Sequence, residues 1–273
     1  MGRLSLIIFL FFASLLKAET IPFDPMRGLV EVDVILNGNT TGKFGIDTGA
    51  DFLYIDKTFV ENNNLKLENK QPRRSVTGVD GSSEVYAFNL RSLEVGDETL
   101  YNLDANVIDL SKIIKDQRRG MPDGLIGYEI LQRFYVTVDY PHQSLELDMM
   151  EPSFLRKSNL VQVPFDFKRH FILVDVTLND SIIVPMILDY CASQVFITNT
   201  LAERLGIESE KGDITKVSLD DKIITEDVSA VVIDYTNMKK GLRGVEFEGI
   251  LGASFLYQHK ITVDYKRNRI YKH

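Results

Sequence analysis

Two stretches of this chain are copies of one another, and a duplicated sequence restricts the fold more tightly than any local pattern does. Val32-Asp33-Val34, Leu36-Asn37, Asp47, Ala50 and Ile55 recur 142 residues later as Val174-Asp175-Val176, Leu178-Asn179, Asp189, Ala192 and Ile197. Thr58 and Glu61 keep the same spacing to Thr200 and Glu203. Later in each copy, Gly124, Gly127, Leu131, Thr137, Val138, Asp139 and Tyr140 recur at a spacing of 125, as Gly249, Gly252, Leu256, Thr262, Val263, Asp264 and Tyr265. Chance likeness between two β-rich segments would match hydrophobicity, not Asp, Asn and Gly in register. The second copy is 17 residues shorter between its acid and its glycine pair, and the missing residues are expected where the first copy has a hairpin and a polar loop.

Within the first copy the pattern reads as strands and tight turns. Residues 29–36 alternate apolar and polar and run into Asn37-Gly38, a strong hairpin signal, with Thr41 to Ile46 as the returning strand. Leu53-Tyr54-Ile55 continues as a strand, and Asp56 is placed to cap a short helix over Lys57 to Asn62. Ser75 to Val85 reads as two strand arms around a glycine-bearing tip, Leu93 to Leu100 as another hairpin, and Ser111 to Pro122 as irregular. Gly124-Leu125-Ile126-Gly127 is a short core strand bracketed by glycines, followed by a helical Tyr128 to Phe134 and a hairpin at Tyr135 to Pro141. These boundaries give a first lobe over 29–150, a connection over 151–167 and a second lobe over 168–273.

The N-terminus reads differently. Arg3, the apolar run Leu4 to Leu16 and a small residue at Ala18 make a secretory signal peptide over 1–18, either cut after Ala18 or kept as an uncleaved signal anchor. The run is shorter than the ~20 apolar residues of a spanning helix, so no stable membrane insertion is expected after cleavage. This address implies a periplasmic or secreted protein. The net charge of −8 is wrong for phosphate binding, which excludes a nucleic-acid partner. With Cys191 as the sole cysteine, no intrachain disulfide forms and stability must come from packing.

Candidate chemistry centres on Phe44 to Asp51, an apolar run that delivers Asp47 into a Thr48-Gly49-Ala50 turn, and on its copy at Asp189. One such turn is generic, but two carboxyls brought together hold each other's proton affinity apart, so that one ionises while the other stays protonated. Other chemistries lack their residues. His142, His170, His259 and His273 are too scattered for zinc, so no metal or cofactor is expected. Cys191 in an apolar loop reads as inert, and Gly252-Ala253-Ser254-Phe255 lacks the second glycine of a serine-hydrolase elbow.

These motifs together resemble the retropepsin-type aspartic proteases, specifically secreted bacterial enzymes with two tandem units. Phe44 to Asp51 is similar to the family's Asp-Thr-Gly loop, Thr77-Gly78-Val79-Asp80-Gly81 to its flap, and Leu125-Ile126-Gly127 to its third segment. The resemblance implies a mainly all-β chain of two pseudo-symmetric acid-protease barrel lobes with short helices, and Asp47 and Asp189 facing each other across a cleft. It further implies hydrolysis of peptide or protein substrates by water activated between those two acids. The second unit departs from the pattern. Tyr190 and Cys191 stand where the family has a small hydroxyl residue and glycine, before Ala192, and Val217 to Ile223, taken as the second flap, has no glycine at its tip. A monomeric protease, a dimer working through Asp47 of two chains, and an inactive peptide-binding or partner-binding relative all fit this sequence.

Overall fold

The computed structural model describes residues 19–24, 28–77, 82–113, 120–157, 160–235 and 244–273. The signal-peptide expectation over 1–18 and the flap-tip residues Gly78, Val79, Asp80 and Gly81 lie outside them.

The first lobe is a closed barrel. Its strands are β2 (Glu31–Leu36), β3 (Thr40–Ile46), β4 (Leu53–Asp56), β6 (Ser82–Val95), β7 (Glu98–Ile108) and β8 (Gly124–Ile126), in the order β2-β3-β8-β4-β7-β6 with β6 pairing back onto β2. Alternation in β2 and β3 turns Val32, Val34, Leu36, Phe44 and Ile46 into the core. Asn37, at φ 53, makes the hairpin turn between them. Asp56 caps α1 (Lys57–Asn62) as expected, its Oδ1 accepting from the Thr58 and Phe59 amides at 2.8 and 3.2 Å. Burying this carboxylate costs little because Oδ2 also accepts, from the Leu110 amide at 3.1 Å.

The second lobe repeats this barrel with β13 (Phe171–Leu178), β14 (Ile182–Leu188), β15 (Val195–Thr198), β16 (Lys211–Leu219), β17 (Ile223–Ile233) and β18 (Gly249–Leu251), in the order β13-β14-β18-β15-β17-β16 and closed by β13–β16. Among the described residues one strand of the first lobe has no counterpart in the second. This is β5 (Glu68–Thr77), which pairs with the outer part of β6 to form the two arms expected of the flap. The pairing of Leu219 with Val176 repeats that of Val95 with Val34. The hairpin at Val217 to Ile223 therefore corresponds to Leu93–Leu100 and is not a second flap. It needs no glycine because Asp220 and Asp221, at φ 49 and 51, make its turn. The shortening also falls differently from expectation. Ala105 and Ala230 hold the same place beside β4 and β15, and already differ by the spacing that relates Gly124 to Gly249. The lost residues thus belong to the flap, and the polar loop keeps its length.

A third sheet joins the lobes. It comprises β1 (Ile21–Pro22), β9 (Tyr135–Asp139), β10 (Ser144–Asp148), β11 (Val161–Pro164), β19 (Lys260–Asp264) and β20 (Arg269–Lys272), in the order β1-β10-β9-β19-β20-β11. This order is a palindrome of repeat partners, because Ile21-Pro22-Phe23-Asp24 returns at the spacing of 142 as Val163-Pro164-Phe165-Asp166. The stretch expected as a connection accordingly supplies β11 and begins β12 (Asp166–Lys168), which pairs with β13.

At the centre of that sheet Thr137 sits opposite Thr262, its own repeat partner, so the pseudo-twofold axis passes between them. Their hydroxyls are fully buried and hydrogen-bonded at 2.6 Å, and Thr262 also meets His273 Nε2 at 2.8 Å. Replacing Thr137 by Val strips a buried partner from this chain, and a loss of roughly 1–2 kcal/mol is expected by urea denaturation. Thr137→Ser, which keeps the hydroxyl, should recover part of it.

Candidate active site

Each acid is delivered by the end of a barrel strand and held by the short strand beside it. Asp47 follows β3 and its amide donates to the Ile126 carbonyl at 3.0 Å; Asp189 follows β14 and its amide donates to Leu251 at 2.9 Å. The glycines of the third segment are there because backbone passes where a side chain would stand. A β-carbon on Gly127 would lie 2.4 Å from the Phe52 carbonyl oxygen, and one on Gly252 2.3 Å from that of Gln194. These approaches let the amides that begin α2 (Tyr128–Leu131) and α3 (Ala253–Leu256) grip the acid loops, Tyr128 N donating to Ala50 O at 2.9 Å and Ala253 N to Ala192 O at 2.8 Å.

Both carboxylates are then fixed alike. Gly49 N donates to Asp47 Oδ1 and Cys191 N to Asp189 Oδ1, each at 2.8 Å. They converge on one point: a β-carbon at Gly49 would stand 3.0 Å from Asp189 Oδ2 and 3.2 Å from Asp47 Oδ1. With both oxygens within 3.2 Å of that point the two carboxylates are neighbours, close enough for the charge of Asp189 to raise the proton affinity of Asp47. Both acids are partly open to solvent yet enclosed from behind, and burial raises the proton affinity of each. Asp47 lies well above the usual carboxyl range, chiefly through burial and then through the charge of Asp189, and Asp189 is raised to about 6. Such a pair releases its two protons as a unit.

The loops are braced across the lobes by Thr48. Its hydroxyl donates to the Leu188 carbonyl at 2.8 Å and accepts from the Tyr190 amide at 3.2 Å, fully buried. Tyr190 therefore keeps the main-chain half of the brace, although its phenol makes no hydrogen bond. That ring is completely enclosed and lies 6.5 Å from the ring of Tyr140. Cys191 proves less costly than its sequence suggests. It does not need the left-handed backbone, since it is absent from the residues with positive φ. Its sulfur occupies room left by Gly45, where a β-carbon would stand 3.0 Å away, and the repeat partner of Gly45 is the bulkier Ile187. Burial, followed by the charges of Asp47 and Asp189, holds the thiol well above its usual pKa and keeps it protonated.

Sequence reasoning missed His170 as a neighbour of the site. Its Nε2 lies 3.2 Å from the Gly49 carbonyl, which can only accept, so Nε2 carries the proton. Burial lowers its pKa, opposed by the carboxylate of Asp51, which itself accepts from the Tyr54 hydroxyl at 2.5 Å. The position matching His170 in the first unit is Gly28, so the repeat gave no signal for it. Of the expected flap, Thr77 ends β5 and pairs with Ser82 across the tip. Among the described residues no group of His, Cys, Asp and Glu is arranged to hold a metal ion, and no helix is long and apolar enough to cross a membrane.

The raised affinity of Asp189 has a signed consequence for stability. The folded chain binds this proton more tightly than the unfolded chain, so its contribution is complete at low pH and is lost as pH rises from roughly 4 to about 6. Urea unfolding at stepped pH should show stability falling through this window, with about 2–3 kcal/mol from Asp189, and the raised affinity of Asp47 should carry the fall to higher pH. Asp189→Asn should flatten that slope and raise stability at pH 7.

An aspartyl protease family model matches residues 31–130 and 174–222, once in each lobe. No curated protein matches the chain. Two matched units that span more than half of the sequence, each ending a barrel strand in one of two converging acids, place this chain in the aspartyl protease family.

Proposed function

We propose that the chain is an aspartic endopeptidase that hydrolyses peptide bonds with a water activated between Asp47 and Asp189 of the same molecule. The observation that carries this reading is the convergence of the two carboxylates beside Gly49. With one proton shared between them, the ionised member removes a proton from the water as its oxygen attacks the peptide carbonyl carbon. The protonated member donates to the carbonyl oxygen. Collapse of the resulting tetrahedral diol breaks the carbon–nitrogen bond, and the leaving nitrogen takes a proton from the pair. The raised affinities of both acids keep that shared proton in place in weak acid.

β5 is the edge strand of the first lobe's sheet, which suits an extended peptide or protein segment adding its backbone beside the flap arm. The second lobe already supplies the partner carboxylate, which favours one chain over two as the working unit. The enclosed ring of Tyr190 packs toward Tyr140, which supports a water rather than the phenol between the carboxylates. The apolar run Leu4 to Leu16 and Ala18 support export, cleavage after Ala18, and work in the periplasm or outside the cell.

Asp47→Asn and Asp189→Asn should each reduce acid-pH cleavage of a mixed peptide library by a thousandfold or so, the scale of positioned acid–base catalysis. Mixing the Asp47→Asn chain with the intact one should lower activity only by dilution. A larger fall, with Asp189→Asn still active, would mean that two chains share the site. A library left uncut by the intact chain would make it a binding module.

A further inference from the structure

The two acid loops are repeats of one another, yet the lobe opposite supports them unequally. Gly49 is held at both ends: its amide donates to Asp47 Oδ1 at 2.8 Å, and its carbonyl accepts from His170 Nε2 at 3.2 Å. His170 belongs to the second lobe. It stands in the two-residue turn that joins β12 to β13, after Arg169 at φ 62, and its ring rests against that of Phe171 at 3.9 Å. Lys168 and Phe171 pair across this turn, so the imidazole projects from a closed hairpin. The Gly49 carbonyl and the Ala50 amide are the two ends of one peptide group, and the Gly49 and Ala50 amides both favour the ionised form of Asp47 by hydrogen bonding. A donor on that carbonyl polarises the peptide group and strengthens what its amide donates.

The loop of Asp189 has no such support from the first lobe. The repeat partner of His170 is Gly28, at φ 70, and a β-carbon there would stand 3.1 Å from the main chain of Ser193. No imidazole fits at that position, and glycine has no side chain to offer Cys191, the residue matching Gly49. We propose that His170 is a positioning residue for Asp47, holding the Gly49–Ala50 peptide from the opposite lobe so that the loop presents its carboxyl at one fixed place beside Asp189. Two charged groups face the ring, Asp51 from the acid loop and Arg169 from its own turn. Nε2 carries its proton in the neutral ring and in the charged one alike, so the contact persists through the acid range.

This role rests on the hydrolysis proposed above, whereas its effect on the titration of the acids does not. His170→Ala should lower kcat for a peptide substrate by roughly ten- to a hundredfold, the scale of a catalytic group displaced by up to ~1 Å, and leave KM within about twofold. His170→Gln, whose side-chain amide can donate to the same carbonyl, should recover most of that loss. With the ionised form of Asp47 less well held, the pH–rate profile of His170→Ala should move up by roughly half a pH unit. Chains with isotope-labelled aspartate carboxyls give a matching reading by NMR with no substrate present: the mean of the pair's two titration steps should rise in the alanine variant and return in the glutamine one. An alanine variant with the parent's kcat and titration would overturn the proposal, as would a glutamine variant no better than alanine. If the intact chain cuts no peptide, the hydrolytic reading falls and the NMR titration alone decides the role of His170.

Discussion

The antiparallel pairing of β9 with β19 is the interaction on which the rest of the molecule depends. Neither barrel contains a pair of acids, and a lone carboxylate at the end of β3 or β14 would have an unremarkable environment. Pairing Thr137 with Thr262 fixes the pseudo-twofold axis, and the axis fixes what faces what. Asp47 meets Asp189, Thr48 reaches the main chain around Tyr190, and Phe23 and Phe165 take equivalent places. The proton affinity of Asp47 depends on that docking in part, because the charge of Asp189 beside it comes from the opposite lobe.

Much of this was legible in the residues. The spacing of 142 named both acids, Asn37-Gly38 gave the first hairpin, and Asp56 capped the helix that its position promised. The same spacing relates Pro22-Phe23-Asp24 to Pro164-Phe165-Asp166, yet the first stretch fell outside the expected lobes and the second within the expected connection. A two-residue strand such as β1 has too few alternating positions to show itself, and only the partner strand β10 makes it one. The second hairpin was assigned to the wrong counterpart for a related reason. Hairpins look alike in sequence, and barrel closure of β16 onto β13 is a long-range fact.

The two departures in the second unit turn out to be unlike each other. Cys191 is a packing exchange, its sulfur admitted by the bare Gly45 across the junction. Tyr190 changes the polar chemistry, keeping an amide in the brace while moving a hydroxyl into the interior. Sequence alone flagged both as faults in one loop, since it records what stands at a position and not what faces it. His170 illustrates the converse, a residue with no motif that reaches the acid loop because a turn of the other lobe brings it there.

Loss of β5 from the second copy makes the two lobes unequal. One ends its sheet in the edge strand β5; the other carries a shorter barrel and, beside the acid loop, His170. A ligand built with mirror-matched halves, of the kind that suits two identical subunits, would find its second half without a matching surface. Selective inhibitors of this chain should therefore be directional, with backbone-like groups toward β5 and a different chemistry toward the turn that bears His170.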